Sequence, residues 1–251
     1  MRLYGVPEAI SAGICQFDTP RGAVQTVILA MQHGIPVARI ELLDDVQMEA
    51  CIRYSKLEGF AAKPTLLFEF HGSEAGVAEQ AAQMQAITEE FGGSAFEWAT
   101  KPEDRSRLWK ARHAAYYAAK AMYRRASRCS RPTRACRSRA LPTACWRPRP
   151  TPMRRASSPR SSAMSATATS TSACCSIPTI AGERARAEEL AKRISLRAIA
   201  MGGTCTGEHG VGVHKLDALV AEHGEAVDLM RTIKRALDPL NIMNPGKTVP
   251  L

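Results

Sequence analysis

Residues 64–91, PTLLFEFHGSEAGVAEQAAQMQAITEEF, decide the fold class of this 251-residue chain. Thr65 to Phe70 is an apolar run of strand length, and His71-Gly72-Ser73 forms a turn. Val77, Ala81, Met84, Ile87 and Phe91 then recur at helical spacing, a stripe that reads as core. The same strand-then-helix unit recurs on both sides. Upstream, Ile14 to Phe17 is a strand candidate. Asp18 and Thr19 supply cap residues, Pro20 sits in the first helical turn and Gly34 closes the helix. Val37 to Leu43 is the next apolar run, followed by an acidic helix start at Asp44-Asp45. Downstream, Phe96 to Ala99 is a short strand and Pro102-Glu103-Asp104 opens a helix to about Met122. Strand and helix alternate four times with short connections.

The pattern stops at Tyr123. Residues 124–176 hold 12 Arg and no Lys, Asp or Glu, with 11 Ser, 9 Ala, 6 Pro and 6 Thr. The chain's charge, 34 − 24 = +10, therefore belongs to that window, because the remainder carries 34 − 12 = 22 basic against 24 acidic residues. Lacking Val, Phe, Tyr and Gly, the stretch reads as a disordered Arg/Ser/Pro/Ala-rich segment over 124–180. Globular sequence resumes near Gly182. Helices are expected over Glu183–Ala200, Leu216–His223 and Ala226–Leu237, around a glycine-rich segment, GTCTGEHGVG (203–212).

Several classes are excluded. The longest purely aliphatic stretch, Val27 to Met31, is five residues, far short of the roughly 20 that span a bilayer. The N-terminal residues lack the pattern of a secretory signal. Without a secretory context the cysteines read as reduced thiols in a cytoplasmic setting, and the lack of any C-x-x-C pair argues against a zinc site. The glycine-rich segment lacks a following Lys-Ser/Thr, so it is no phosphate-binding loop.

Four stretches, PTLLFEFHGSEAGV (64–77), LWKARHAAYYAA (108–119), GGTCTGEHGVGVHK (202–215) and IKRALDPLNIMNPGK (233–247), together resemble one family. It is the C-terminal, substrate-capping domain of FAD-linked oxidases of the D-lactate dehydrogenase (cytochrome), glycolate oxidase and D-2-hydroxyglutarate dehydrogenase type. The resemblance implies an α+β, ferredoxin-like cap with an antiparallel sheet and covering helices, cut into 1–123 and 181–251 by the odd segment. It implies FAD, held mostly by a preceding domain that this chain lacks, and a divalent metal such as zinc or manganese.

The family carries a Gly-His-x-Gly-Asp-Gly-Asn-x-His motif between LWKAR and GEHG, and here it is missing. Synonymous codons for AMSATATST (163–171), read one base upstream, give GHVGDGNFH. The same offset turns 136–148 into VPISRLADCVLET and 172–178 into FGLLLDP. Roughly Arg124 to Ile180 therefore reads as out-of-frame translation with compensating shifts at both ends.

By the resemblance, Arg112 binds the substrate carboxylate, Glu208 is a metal ligand, His209 is the general base, and Asn244 and Lys247 lie near the flavin. A planar bidentate donor suits the first role; a carboxylate beside an imidazole suits the next two. The plain readings are a solvated helix arginine, an incidental Glu-His pair and an ordinary C-terminal turn. His71 reads as structural, and His33, His113, His214 and His223 as surface or helix-end residues. The expected activity is FAD-dependent oxidation of a small D-2-hydroxy acid, with the electron acceptor unknown and this chain an inactive fragment. The alternative is a basic protein binding nucleic acid non-specifically through 124–176. With Trp146 as the window's lone aromatic, no specific nucleic acid partner is expected.

Overall fold

Nine residues, Ala9–Phe17, form β1, the strand from which the sheet is built outward. After it come α1 (Pro20–Gln32), β2 (Val37–Leu43), α2 (Asp45–Ser55), β3 (Thr65–Gly72), α3 (Glu74–Glu90), β4 (Gly93–Ala99) and α4 (Pro102–Met122). The computed structural model describes residues 5–122, 128–130, 133–135, 160–164, 169–176, 182–207 and 209–251. The first four strands lie in the order β4-β1-β3-β2, each antiparallel to its neighbours. That is the ferredoxin-like order, with α2 added between β2 and β3.

Helix starts follow the caps. Thr19 accepts a hydrogen bond from the Gly22 N–H at 3.2 Å, ahead of Pro20 in the first turn. Asp44 accepts from the Gln47 N–H at 2.7 Å, and Ser73 from Gly76 N–H at 3.2 Å. Strand alternation then separates two cores. Cys15, Phe17, Ile40, Leu42, Leu66, Phe68 and Phe70 face α1 and α3, packing on Val24, Val27, Ala81 and Met84. Ala12, Ile14, Leu43 and Leu67 face the opposite way, against Met48 and Cys51 of α2 and Leu108, Trp109 and Ala115 of α4. Both faces of the sheet are covered, which is why TLLFEF reads as a nearly unbroken apolar run.

Four strands fall inside the window whose composition reads as disordered: β5 (Arg128–Ser130), β6 (Thr133–Ala135), β7 (Arg160–Met164) and β8 (Thr169–Ser176). β7 continues the sheet beyond β2 at Leu43↔Ser162, and β8 pairs antiparallel with β5, β6 and β7. Antiparallel pairing is made by backbone groups, and residues such as Thr and Cys occupy strands readily, so composition alone does not forbid it. The rest of the window lies outside the described residues. Beyond it, α5 (Glu183–Ala200), α6 (Leu216–His223) and α7 (Ala226–Leu237) match the helices expected from the sequence.

Candidate functional site

Two constellations carry the polar chemistry. The first lies on the sheet face covered by α2 and α4. Alternation along β2 puts Arg39 and Glu41 on the side of buried Leu43; along β3 it puts Glu69 and His71 on the side of buried Leu67. α4 lays Trp109 and, one turn on, Arg112 over them. Arg112 Nε stands 3.0 Å from Glu41 Oε2. Both atoms are shut off from solvent, and their contact is an ion pair held by packing, not an aligned hydrogen bond. Arg39 pairs with Glu69 at 2.5 Å. Its Cζ lies 3.7 Å over the Trp109 ring, a cation–π contact. A His71 ring nitrogen lies 2.9 Å from the other Glu69 oxygen. Burial pushes the Glu69 carboxyl up, but Arg39 and His71 outweigh it and hold the group below the usual carboxylate range.

The second constellation is the glycine loop and the C-terminal turn. Gly210 and Gly212 take φ of +68° and +57°. That is the left-handed region, which glycine enters without strain. Thr206 Oγ1 donates to the Gly210 carbonyl at 3.0 Å and closes the loop around His209, which is exposed. Its base is fixed by Glu222 of α6, whose Oε2 accepts from Cys205 N–H at 2.7 Å and from the Thr204 hydroxyl at 3.0 Å. Thr248 N–H donates to Gly212 O at 2.9 Å, tying the loop to the NPGK turn, where Asn244 and Lys247 are both exposed. Asp238 braces that turn by accepting from Ile242 and Met243 N–H at 3.0 and 2.9 Å and by pairing with Lys234.

His209, Asn244 and Lys247 are thus on one linked surface, whereas the described contacts of Arg112 join α4 to β2. Glu208 lies outside the described residues. Sequence reading missed Glu41, Arg39, Glu69 and Glu222. The spacing Arg39-x-Glu41 within a strand, and one glutamate inside the apolar TLLFEF, are the signals that could have marked the first three.

The model of the family "FAD linked oxidases, C-terminal domain" matches residues 6–129 and 172–248. The chain belongs to this family. The unmatched 130–171 of this FAD-linked oxidase domain falls inside the Arg-rich window. The chain is 40% identical over 255 residues to the probable mitochondrial D-lactate dehydrogenase of Danio rerio, covering all of this chain and 50% of that protein. It is 36% identical over 262 residues to the mitochondrial D-lactate dehydrogenase [cytochrome] of Arabidopsis thaliana, covering 100% of this chain and 44% of that one. The chain spans about half the length of these curated relatives. Among solved structures, 4-ethylphenol oxidase from Gulosibacter chungangensis superposes with a TM-score of 0.65 at 13% identity, over all of this chain and 56% of that one, a likeness of fold.

Family membership implies FAD. Asn244 and Lys247 are exposed polar residues on a turn anchored to the glycine loop, so their side chains are accessible to a ligand such as a flavin. For the implied metal, Glu208 lies outside the described residues, and among the described residues no three His, Cys, Asp or Glu side chains converge. No helix of the described residues is long and apolar enough to cross a membrane. The two relatives' names place those enzymes in mitochondria, so the cytoplasmic expectation gains nothing from them.

Proposed function

We propose that this chain is the substrate-capping half of a D-2-hydroxy-acid dehydrogenase of the D-lactate or glycolate type, divided at 1–123, 124–180 and 181–251. The observation that carries the reading is the family match on both sides of the odd window, together with Arg112 seated on the sheet face. Arg112 binds the substrate carboxylate through its planar guanidinium. His209, on the glycine loop, takes the hydroxyl proton at a ring nitrogen. Asn244 and Lys247 contact the flavin edge from the NPGK turn. When bound, FAD supplies the acceptor for the hydride leaving the α-carbon. The chemistry of a metal ligand at Glu208 enters no step here, because the described residues complete no donor set. The three described free cysteines, Cys15, Cys51 and Cys205, are all buried, as a reducing compartment such as the cytoplasm allows.

The chain as it stands is an inactive fragment. Two features support this. Leu229, Ile233, Leu237, Leu240, Ile242 and Met243 form an exposed apolar stripe along α7 and beyond, the kind of surface a flavin-binding half would cover. The window also recovers family-like sequence on a one-base shift, and β8 falls where that shifted reading runs from NFH into FGLLL. The test is expression of the 251-residue chain, followed by flavin absorbance and D-lactate-dependent dye reduction. A colourless, inactive protein is expected; a yellow protein with turnover overturns the fragment reading. Resequencing tests the frame, and in-frame codons that do not yield GHVGDGNFH when shifted defeat it.

A further inference from the structure

We propose that Glu41 is a positioning residue for Arg112, an ion-pair partner that holds its guanidinium against β2 so that the terminal nitrogens are presented to the substrate carboxylate. The inference rests on the reading of Arg112 given above and adds the residue through which that arginine is held.

A guanidinium offers two edges for a carboxylate: the side edge at Nε and the terminal edge between the two Nη atoms. The Glu41 carboxylate stands 3.0 Å from Nε, close enough to pair with the guanidinium charge though not aligned with the Nε–H. Among the described residues, the terminal nitrogens of Arg112 have no acceptor. The exposures differ in the useful direction. The Glu41 side chain is 14% exposed and that of Arg112 is 30% exposed. The carboxylate therefore has little water to fall back on, whereas a small anion can reach the guanidinium. The neighbouring arginine does not interfere, because Arg39 is already engaged by Glu69 and by the Trp109 ring. A long side chain that is pinned before the ligand arrives loses less rotamer freedom on binding, which favours the complex.

The two possible roles of Glu41 predict opposite signs. A bystander carboxylate would only repel an incoming anion, so removing its charge would tighten D-lactate binding. A positioning carboxylate, once removed, leaves the guanidinium free and binding weakens.

The experiment is a D-lactate titration of the full 251-residue chain followed by NMR, with the amide spectrum reporting the fold. Wild type is expected to bind, and Arg112→Lys to bind weakly. Glu41→Gln is expected to weaken binding about tenfold, with no further loss when it is added to Arg112→Lys, because its effect passes through the arginine. Unchanged or tighter binding by Glu41→Gln overturns the positioning role and leaves that of Arg112 standing. No binding by wild type, or indifference to Arg112→Lys, overturns the Arg112 reading and this inference with it. Should Glu41→Gln unfold, Glu41→Asp keeps the charge but withdraws it by one methylene. Weaker binding by that variant supports positioning; unchanged binding overturns it.

Discussion

Glu222 shows at the scale of one residue how the glycine loop is held. Its carboxylate takes one backbone N–H and one hydroxyl from the loop base, Cys205 and Thr204. Burial raises its pKa, but these donors outweigh burial and hold it below the usual carboxylate range. The same burial, helped by the Glu222 charge, pushes the Cys205 thiol up to about 11, so that thiol is inert near neutrality. A group whose folded pKa lies below its unfolded value adds stability that is complete above the unfolded value, about 4.3 for Glu. That contribution is lost as pH falls through the lower, folded value. Glu222→Gln is therefore expected to cost about 1–2 kcal/mol at neutral pH, since charge-assisted hydrogen bonds become neutral ones. Urea unfolding below about pH 4 should show the gap between wild type and variant narrowing. A gap that stays constant with pH would show that the charge of Glu222 does not matter. None of this was legible in the sequence, because Glu222 reads there as one more acidic residue at the end of a helix.

At the scale of elements, far more was legible, and caps explain why. Thr19-Pro20 and Asp44 each set a helix start through a side-chain cap that local chemistry alone specifies. Strand ends were harder. β1 begins at Ala9 rather than Ile14, because AISAG has Ile10 as its one large apolar residue and is a strand by virtue of pairing with β3 and β4 on its two sides. Close approaches between elements were also invisible. A Cβ added at Gly22 of α1 would run into the Phe91 carbonyl oxygen at the end of α3. Gly22→Ala gains about 1 kcal/mol of helix propensity. It must also displace a backbone carbonyl, and overpacking of that kind costs about 1–3 kcal/mol or more. The steric cost is expected to win, lowering the midpoint of thermal unfolding; a higher midpoint would mean that α1 and α3 separate easily.

For the whole molecule, the charge is the property that a reading frame can change. The window of 124–176 supplies 12 positive charges and no negative ones, while everything else sums to 22 − 24 = −2. Arginines in such a tract attract polyanions without sequence preference, and the attraction falls steeply with salt because bound counterions are released. If the window is out-of-frame peptide, this affinity is an accident of translation and not a property of the family domain. The 251-residue chain is therefore expected to bind single-stranded RNA or heparin at low salt and to release it as salt rises. A version with the frame restored over 124–180 is expected to lose that binding by at least about tenfold, because the shifted stretches VPISRLADCVLET and GHVGDGNFH carry acidic residues and few arginines. Equal RNA binding by the two versions would place the anion-binding surface in the cap itself, where Arg39 and Arg112 are already matched by Glu69 and Glu41.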